Sequence, residues 1–190
     1  MRKACFYCLW AALSAAASLP AQTIAVKTNT LSAVMGSLNA GIELAAGRRT
    51  TWEGYGSIRP WTRGEMSVEK YWLAQTEVRH WLCQKFNGGF VGGFLNGAQF
   101  NMGGKKLPFG LFPDLQRHRY EGYLLGGGVT GGYQFLLDTH WNIECSISAG
   151  YEFIHYKRYR CPGECARLDK TDNYHYVGPT KASISLIYLF

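Results

Sequence analysis

The sequence predicts an all-β protein: an eight-stranded, antiparallel, up-and-down transmembrane β-barrel of the size of the smallest outer-membrane barrels. Three observations predict it. Apolar and polar residues alternate with period two along most of the chain. The segments between these runs are short turns on one side and long polar loops on the other. The composition is 15% aromatic and only 17% charged, with 23 glycines, and mean hydropathy is −0.15. A helical membrane protein is excluded, because no apolar run of about 20 residues lies beyond the N-terminus. Barrel strands average to neutral hydropathy, so that class remains. With 47% apolar residues the chain is not disordered, and 190 residues suit one domain.

The N-terminus reads as an address. Arg2 and Lys3 precede an almost unbroken apolar stretch from Ala4 to Leu19, and Pro20-Ala21 comes before Gln22. That is the layout of a secretory signal peptide over residues 1–21, which leaves residues 22–190 as the barrel domain. Removing 21 of 190 residues leaves 169, and losing Arg2 and Lys3 lowers the charge from +7 to +5. Cys83, Cys145, Cys161 and Cys165 remain, in an oxidising compartment.

The strands follow in order. Ile24 to Val34 carries Lys27 and Asn29 on one face. Leu38 to Ala46 sets Leu38, Ala40, Ile42 and Leu44 against Asn39, Gly41 and Glu43. Thr51 to Pro60 sets Trp52 and Ile58 against Glu53, Tyr55, Ser57 and Arg59. Tyr71 to Leu82 sets Trp72, Ala74 and Val78 against Gln75, Glu77 and Arg79. Gly89 to Met102 is glycine-rich and ambiguous in facing. Tyr120 to Leu136 sets Tyr123, Leu125, Val129 and Tyr133 against a glycine-rich face. Trp141 to Phe153 alternates for thirteen residues. Lys181 to Phe190 sets Ala182, Ile184, Leu186, Tyr188 and Phe190 against Lys181, Ser183 and Ser185. Gly47 to Thr50, Cys83 to Gly88 and Asp138-Thr139 read as short turns. Thr62 to Lys70, Gly103 to Arg119 and Lys157 to Asn173 read as long loops.

Aromatics decide which face points out. Tyr188, Phe190, Trp141, Trp81 and Phe135 gather at one end. Trp61, Tyr120, Tyr123, Tyr151 and Phe153 gather at the other, as two interfacial girdles would. Trp81 falls on the polar face by strict alternation, which implies a bulge or shift in that strand. The inward face then holds Lys27, Glu43, Glu53, Arg59, Glu77, Arg79, Glu144, Glu152 and Lys181. In an eight-stranded lumen filled by side chains, these read as a salt-bridge plug; a gated conductance or a catalytic carboxylate is the functional alternative.

The sequence resembles a family of small eight-stranded Gram-negative outer-membrane proteins catalogued as a domain of unknown function. The resemblance spans the mature chain. It rests on Lys27-Thr28-Asn29, Gly41-Ile42-Glu43, Pro60-Trp61, Glu77 to Leu82, Arg119 to Gly122, Gly132-Tyr133-Gln134, Trp141 to Glu144 and Gly178 to Lys181. Tyr188 with terminal Phe190 is similar to the signal read by the barrel assembly machinery. The resemblance implies an outer-membrane location. Members are often encoded beside fimbria or adhesin components, which implies a surface-assembly role with a protein partner. It brings no catalytic residue.

The remaining motifs are weak. Cys161-Pro-Gly-Glu-Cys165 suits a loop disulfide, and zinc, with His155 and His175 flanking, is the alternative. Cys83 and Cys145 are expected as free thiols. Gly126 to Gly131 fits GxGxxG but sits inside a strand with no following helix, so it does not read as a nucleotide site. Lys105, Lys106, Arg117 and Arg119 make one loop +3. Lys157, Arg158 and Arg160 help make another +2. Such loops suit lipopolysaccharide phosphates or serve solubility. Nucleic acid does not fit the location. Histidines 80, 118, 140, 155 and 175, with serines 146, 148, 183 and 185, are the only material for a hydrolase or acyltransferase, and no Gly-x-Ser-x-Gly is present. The expectation is a non-enzymatic outer-membrane barrel without metal or cofactor. It would contact lipid, lipopolysaccharide or a surface-assembly partner. A lipid-modifying enzyme and a secreted ligand-binding barrel are the alternatives.

Overall fold

A computed structural model of the chain describes residues 24–61, 69–103, 118–160 and 167–190. The signal segment 1–21, the Cys161/Cys165 pair, Lys105, Lys106 and Arg117 lie outside the described residues. Eight strands form one antiparallel sheet that closes on itself as a barrel, each strand pairing with its neighbours in chain order. They are β1 (Ile24–Asn29), β2 (Leu38–Ala45), β3 (Thr50–Arg59), β4 (Glu69–Trp81), β5 (Gly88–Gly103), β6 (Arg119–Leu136), β7 (Trp141–Tyr159) and β8 (Leu168–Leu189). Their lengths climb steadily from 6 residues in β1 to 22 in β8. The wall is therefore low on the β1 side and tall on the β7–β8 side.

Two stretches differ from the sequence expectation. Ile24 to Val34 is not one strand. Asn29 ends β1 by accepting hydrogen bonds from the Leu31 and Ser32 N–H groups, and Thr30–Val34 forms a short helix, α1. An Asn N-cap satisfies orphan helix donors, and this outweighs the alternation. Lys157 to Asn173 is not mainly loop: β7 runs to Tyr159 and β8 starts at Leu168. The reason is a bulge. Ser148 pairs with Lys181 but Ala149 pairs with Pro179, so Thr180 is an extra residue. An extra residue reverses which parity faces inward, and the period is lost to a reader of the sequence.

The turns β2–β3, β4–β5 and β6–β7 are short and define the lower end. In two of them paired N–H groups converge on one carbonyl: Ala46 and Gly47 donate to Thr50 O, and Leu137 and Asp138 donate to Trp141 O. Both chain ends of the sheet lie there too, where Phe190 donates its N–H to Ile24 O at 3.0 Å.

The outward face is apolar. Ile42, Val78, Val91, Leu95, Leu125, Val129, Ile147 and Ile184 are all exposed on it. At the lower rim Trp141 and Phe190 stack edge-on against Tyr188, at 5.0 and 4.9 Å between ring centroids. Two aromatics expected in the girdles are inside instead: Trp81 is fully buried and Tyr120 nearly so. The β4 ladder runs without a shift on either side, so no bulge carries Trp81 outward; strict alternation points it in.

Candidate functional site

The barrel interior is stacked in three layers. The lowest is apolar: Ala25, Trp81, Phe86, Phe90, Ile187 and Leu189 form one buried cluster. Phe86 belongs to the β4–β5 turn and holds φ +62°, unusual outside glycine. The turn folds its ring under the barrel, 6.1 Å from the Trp81 ring, while Trp81 donates its indole N–H to Thr51 Oγ1 at 2.9 Å. The uppermost layer is aromatic and apolar: Phe100, Tyr120 and Ile154, with Tyr71, Met102, Leu124, Tyr156 and Tyr176 packed around them.

Between them lies the charge cluster. Its members arrive by alternation: Lys27 from β1, Glu43 from β2, Glu53 from β3, Glu77 and Arg79 from β4 and Glu144 from β7, all buried. Lys27 Nζ donates to Glu43 Oε2 at 2.5 Å, Glu53 Oε2 at 3.0 Å and Glu144 Oε2 at 3.1 Å. The Arg79 guanidinium reaches four carboxylates: Glu77 at 2.8 Å, Glu144 at 2.8 Å, Glu53 at 2.5 Å and Glu43 at 3.3 Å. Its plane lies over the Phe90 ring, 4.4 Å from the centroid. Neutral donors complete the acceptors. Thr51 donates to Glu43 Oε1, Gln75 to Glu77 Oε2 and Ser146 to Glu144 Oε1. Buried ions are tolerable only when paired and hydrogen-bonded in this way. Four carboxylates face two cations, and the nearby Lys181 reduces the excess; its Nζ sits 3.9 Å over the Tyr55 ring.

Six of the nine expected inward charges thus meet in one cluster, and Lys181 lies beside it. Glu152 and Arg59 do not join. Glu152 accepts from Asn96 Nδ2 at 2.8 Å, and its other oxygen has no partner among the described residues. Arg59 is a rim residue that donates its Nε–H to Gly36 O at 3.2 Å. Glycines shape the wall beside these side chains. A Cβ on Gly126 would lie 2.1 Å from Glu152 Oε2, and one on Gly132 would lie 2.6 Å from Phe90. Of the GxGxxG-like run, Gly126 and Gly128 take the inward positions of β6, where a Cβ would strike Glu152 and the Ala149 carbonyl respectively; Gly131 faces outward and meets nothing within 4 Å.

Of the basic residues expected in outer loops, the described ones sit on strand ends or, for Arg160, just past the end of β7. Arg119 opens β6, donating its Nε–H to Asn101 Oδ1 at 2.7 Å. Lys157 and Arg158 lie on β7. Arg158 and Arg160 both hold Asp169, at 2.5 and 3.0 Å, and together keep the Asp169 carboxyl below its ordinary 3.8, Arg160 contributing first. Tyr188 and Phe190 lie at the lower rim. Cys83 and Cys145 are exposed free thiols.

Among the described residues, no Ser–His contact links His80, His140, His155 or His175 to serines 146, 148, 183 and 185. His80, His155 and His175 stand on the outward face. There His155 contacts Asn173 Oδ1, and His175 lies 2.5 Å from the Tyr151 hydroxyl. His140 contacts Thr139 in a turn. The serines point inward, where Ser146 bonds Ser183 and Ser148 bonds Thr130. Among the described residues no group of three or more His, Cys, Asp and Glu side chains is placed to hold a metal.

Sequence reasoning missed the lower stopper of Trp81, Phe86 and Phe90. Its signal was present, since strict alternation already put Trp81 on the polar face. Phe86 gave none, because its direction depends on one turn dihedral.

A family model described as a protein of unknown function (DUF3575) matches residues 4–190. No curated protein and no solved structure matches the chain.

Proposed function

We propose, from the premise that the chain belongs to the DUF3575 family of proteins of unknown function, that it is a transmembrane barrel of the outer membrane with a structural and interaction role. One observation carries this reading: the polarity of the sheet is inverted. Among the described residues five carboxylates and two cations are buried inside, while exposed isoleucine, leucine and valine cover the outside. A water-soluble barrel of this size would need the opposite arrangement. A barrel in lipid needs this one, because lipid offers no partner for charge and closure satisfies the backbone.

In this reading the signal segment exports the chain, and Tyr188 with Phe190 presents it to the barrel assembly machinery. The lower rim faces the periplasm. The tall β7–β8 hairpin rises above the membrane, and its basic residues face lipopolysaccharide phosphates. A lumen closed by the three interior layers suits a scaffold better than a channel. The outer end would engage a surface-assembly partner, such as a fimbrial component.

Reconstitution into vesicles with brominated acyl chains tests this. Trp52, Trp72 and Trp141 are exposed on the outside, whereas Trp81 is inside. Quenching of the first three with Trp81 spared is the expected result. A protein that stays in the aqueous fraction with all tryptophans unquenched would overturn it.

A further inference from the structure

The barrel closes through a very short seam. β7 pairs with β8 along almost all of β8, from Leu168 to Tyr188. On the other edge, β1 pairs only with Ser185 to Leu189. Just above, Thr30 of α1 donates its hydroxyl to Ile184 O at 2.6 Å. Among the described residues no strand pairs with the open side of β8 from Leu168 to Pro179, about 40 Å of extended chain at ~3.4 Å per residue.

The direction of each backbone group follows from the ladder. Leu189 donates its N–H to His140 O at 2.8 Å, and Phe190 donates to Ile24 O at 3.0 Å. Low in β8, odd residues therefore bond toward β7 and even residues toward β1. The extra residue Thr180 reverses this. Above it Tyr176 pairs with Glu152, Tyr174 with Ile154 and Asp172 with Tyr156. Odd residues there turn their N–H and C=O groups to the open side. Two of these groups are held by side chains instead of a strand: Asn173 donates its N–H to Asp172 Oδ1 at 2.9 Å, and Pro179 O accepts from the Tyr176 hydroxyl at 3.0 Å. His175 and Val177 stand between them and Thr171 lies beyond Asn173; Val177 is 79% exposed. Along residues 157–173, Lys157, Arg158, Arg160, Arg167 and Lys170 outnumber Glu164, Asp169 and Asp172 by two; Arg158 and Arg160 share Asp169, and Lys170 pairs with Asp172.

We propose that the open edge of β8 from Thr171 to Val177 receives an acidic, extended segment of a partner polypeptide, added as a further strand to the barrel wall. The inference rests on the outer-membrane reading, which puts this edge outside the cell. An unpaired edge is a template for a strand, and the surrounding positive charge selects an acidic one. Pro179 and the Thr180 bulge set its lower limit, since neither continues a regular ladder. A second copy in the same membrane runs its β8 in the same direction and offers only a parallel strand, the less stable pairing.

The test uses the full mature chain folded in detergent micelles and a synthetic twelve-residue peptide alternating glutamate with valine and threonine. Fluorescence anisotropy should show binding. It should weaken about tenfold or more when alternate peptide amides are N-methylated, and likewise with Val177→Pro, which deletes an open-side N–H but no bond to β7. Amide exchange in the free protein should be fast at Thr171, His175 and Val177 and slow at Tyr174 and Tyr176. No binding, equal binding by the methylated peptide or by Val177→Pro, or slow exchange at Thr171, His175 and Val177 would each overturn the proposal. So would a dimer in place of the peptide complex. Heat-modifiable migration of Val177→Pro shows that the barrel is intact, so failure at the edge is distinguishable from failure of the membrane reading.

Discussion

Lys27 and Arg79 share three carboxylate oxygens, Oε2 of Glu43, Glu53 and Glu144. Lys27 Nζ lies 3.1 Å and Arg79 Nη1 2.8 Å from Glu144 Oε2, joining the first strand, the fourth and the seventh across the lumen. Two like charges this close are held together only by the carboxylates around them, so the cluster behaves as one unit. Arg79 reaches four carboxylates and Glu77 reaches one cation. Arg79→Ala is therefore expected to lower stability by about 3–5 kcal/mol, because it leaves buried carboxylates unpaired. Glu77→Ala should cost less, about 1–3 kcal/mol. Urea unfolding in micelles measures both, and both variants should still insert. Unchanged stability in both would count against a structural cluster.

Gly126 and Gly56 predict opposite outcomes for the same substitution. A Cβ at Gly126 would strike Glu152 and the Tyr151 carbonyl, the latter at 2.5 Å, whereas a Cβ at Gly56 meets nothing within 4 Å. Gly126→Ala should destabilise by about 1–3 kcal/mol, and Gly56→Ala should be close to neutral. The same unfolding assay compares them directly.

Phe86 fills the lower end of the barrel against Trp81 and Phe90. Phe86→Ala should cost about 3–5 kcal/mol through the void it leaves. Since the ring is contributed by a turn, the loss should appear in the unfolding rate and also as faster amide exchange at Trp81 and Phe90.

The hairpin tip carries a pH dependence. Asp169 has its carboxyl held below 3.8 by Arg160 and Arg158. A depressed carboxylate contributes stability that is present above the unfolded value and lost as pH falls through the folded one. NMR signals of Arg158 and Asp169 should hold from neutral pH down to about pH 5 and then titrate with a midpoint below the ordinary carboxylate value. Asp169→Asn should remove that transition. A change near neutral pH would contradict the pairing.

The sheet and its inward charges were legible in the sequence because alternation reports facing wherever the two sides of a strand meet different surroundings. Lys27, Glu43, Glu53, Glu77, Arg79 and Glu144 all fall on the polar side of their runs. Alternation does not report height or reach, so it could not separate Arg59 and Glu152 from the cluster. The upper β7–β8 hairpin was illegible for two reasons. Thr180 reverses the parity of β8, and polar residues there appear on both sides. Trp81 and Tyr120 were assigned to girdles because aromatic rings serve equally well at a lipid interface and in an interior layer. The α1 turn was hidden by an Asn that alternates correctly and also caps a helix.

Heat-modifiable electrophoresis of the protein in purified outer membranes tests the inverted-polarity barrel most directly. A compact, fast-migrating band without heating that slows after boiling is the predicted result, because a closed sheet in lipid resists detergent until heated. A protein recovered in the soluble fraction, migrating identically before and after boiling, would contradict the account.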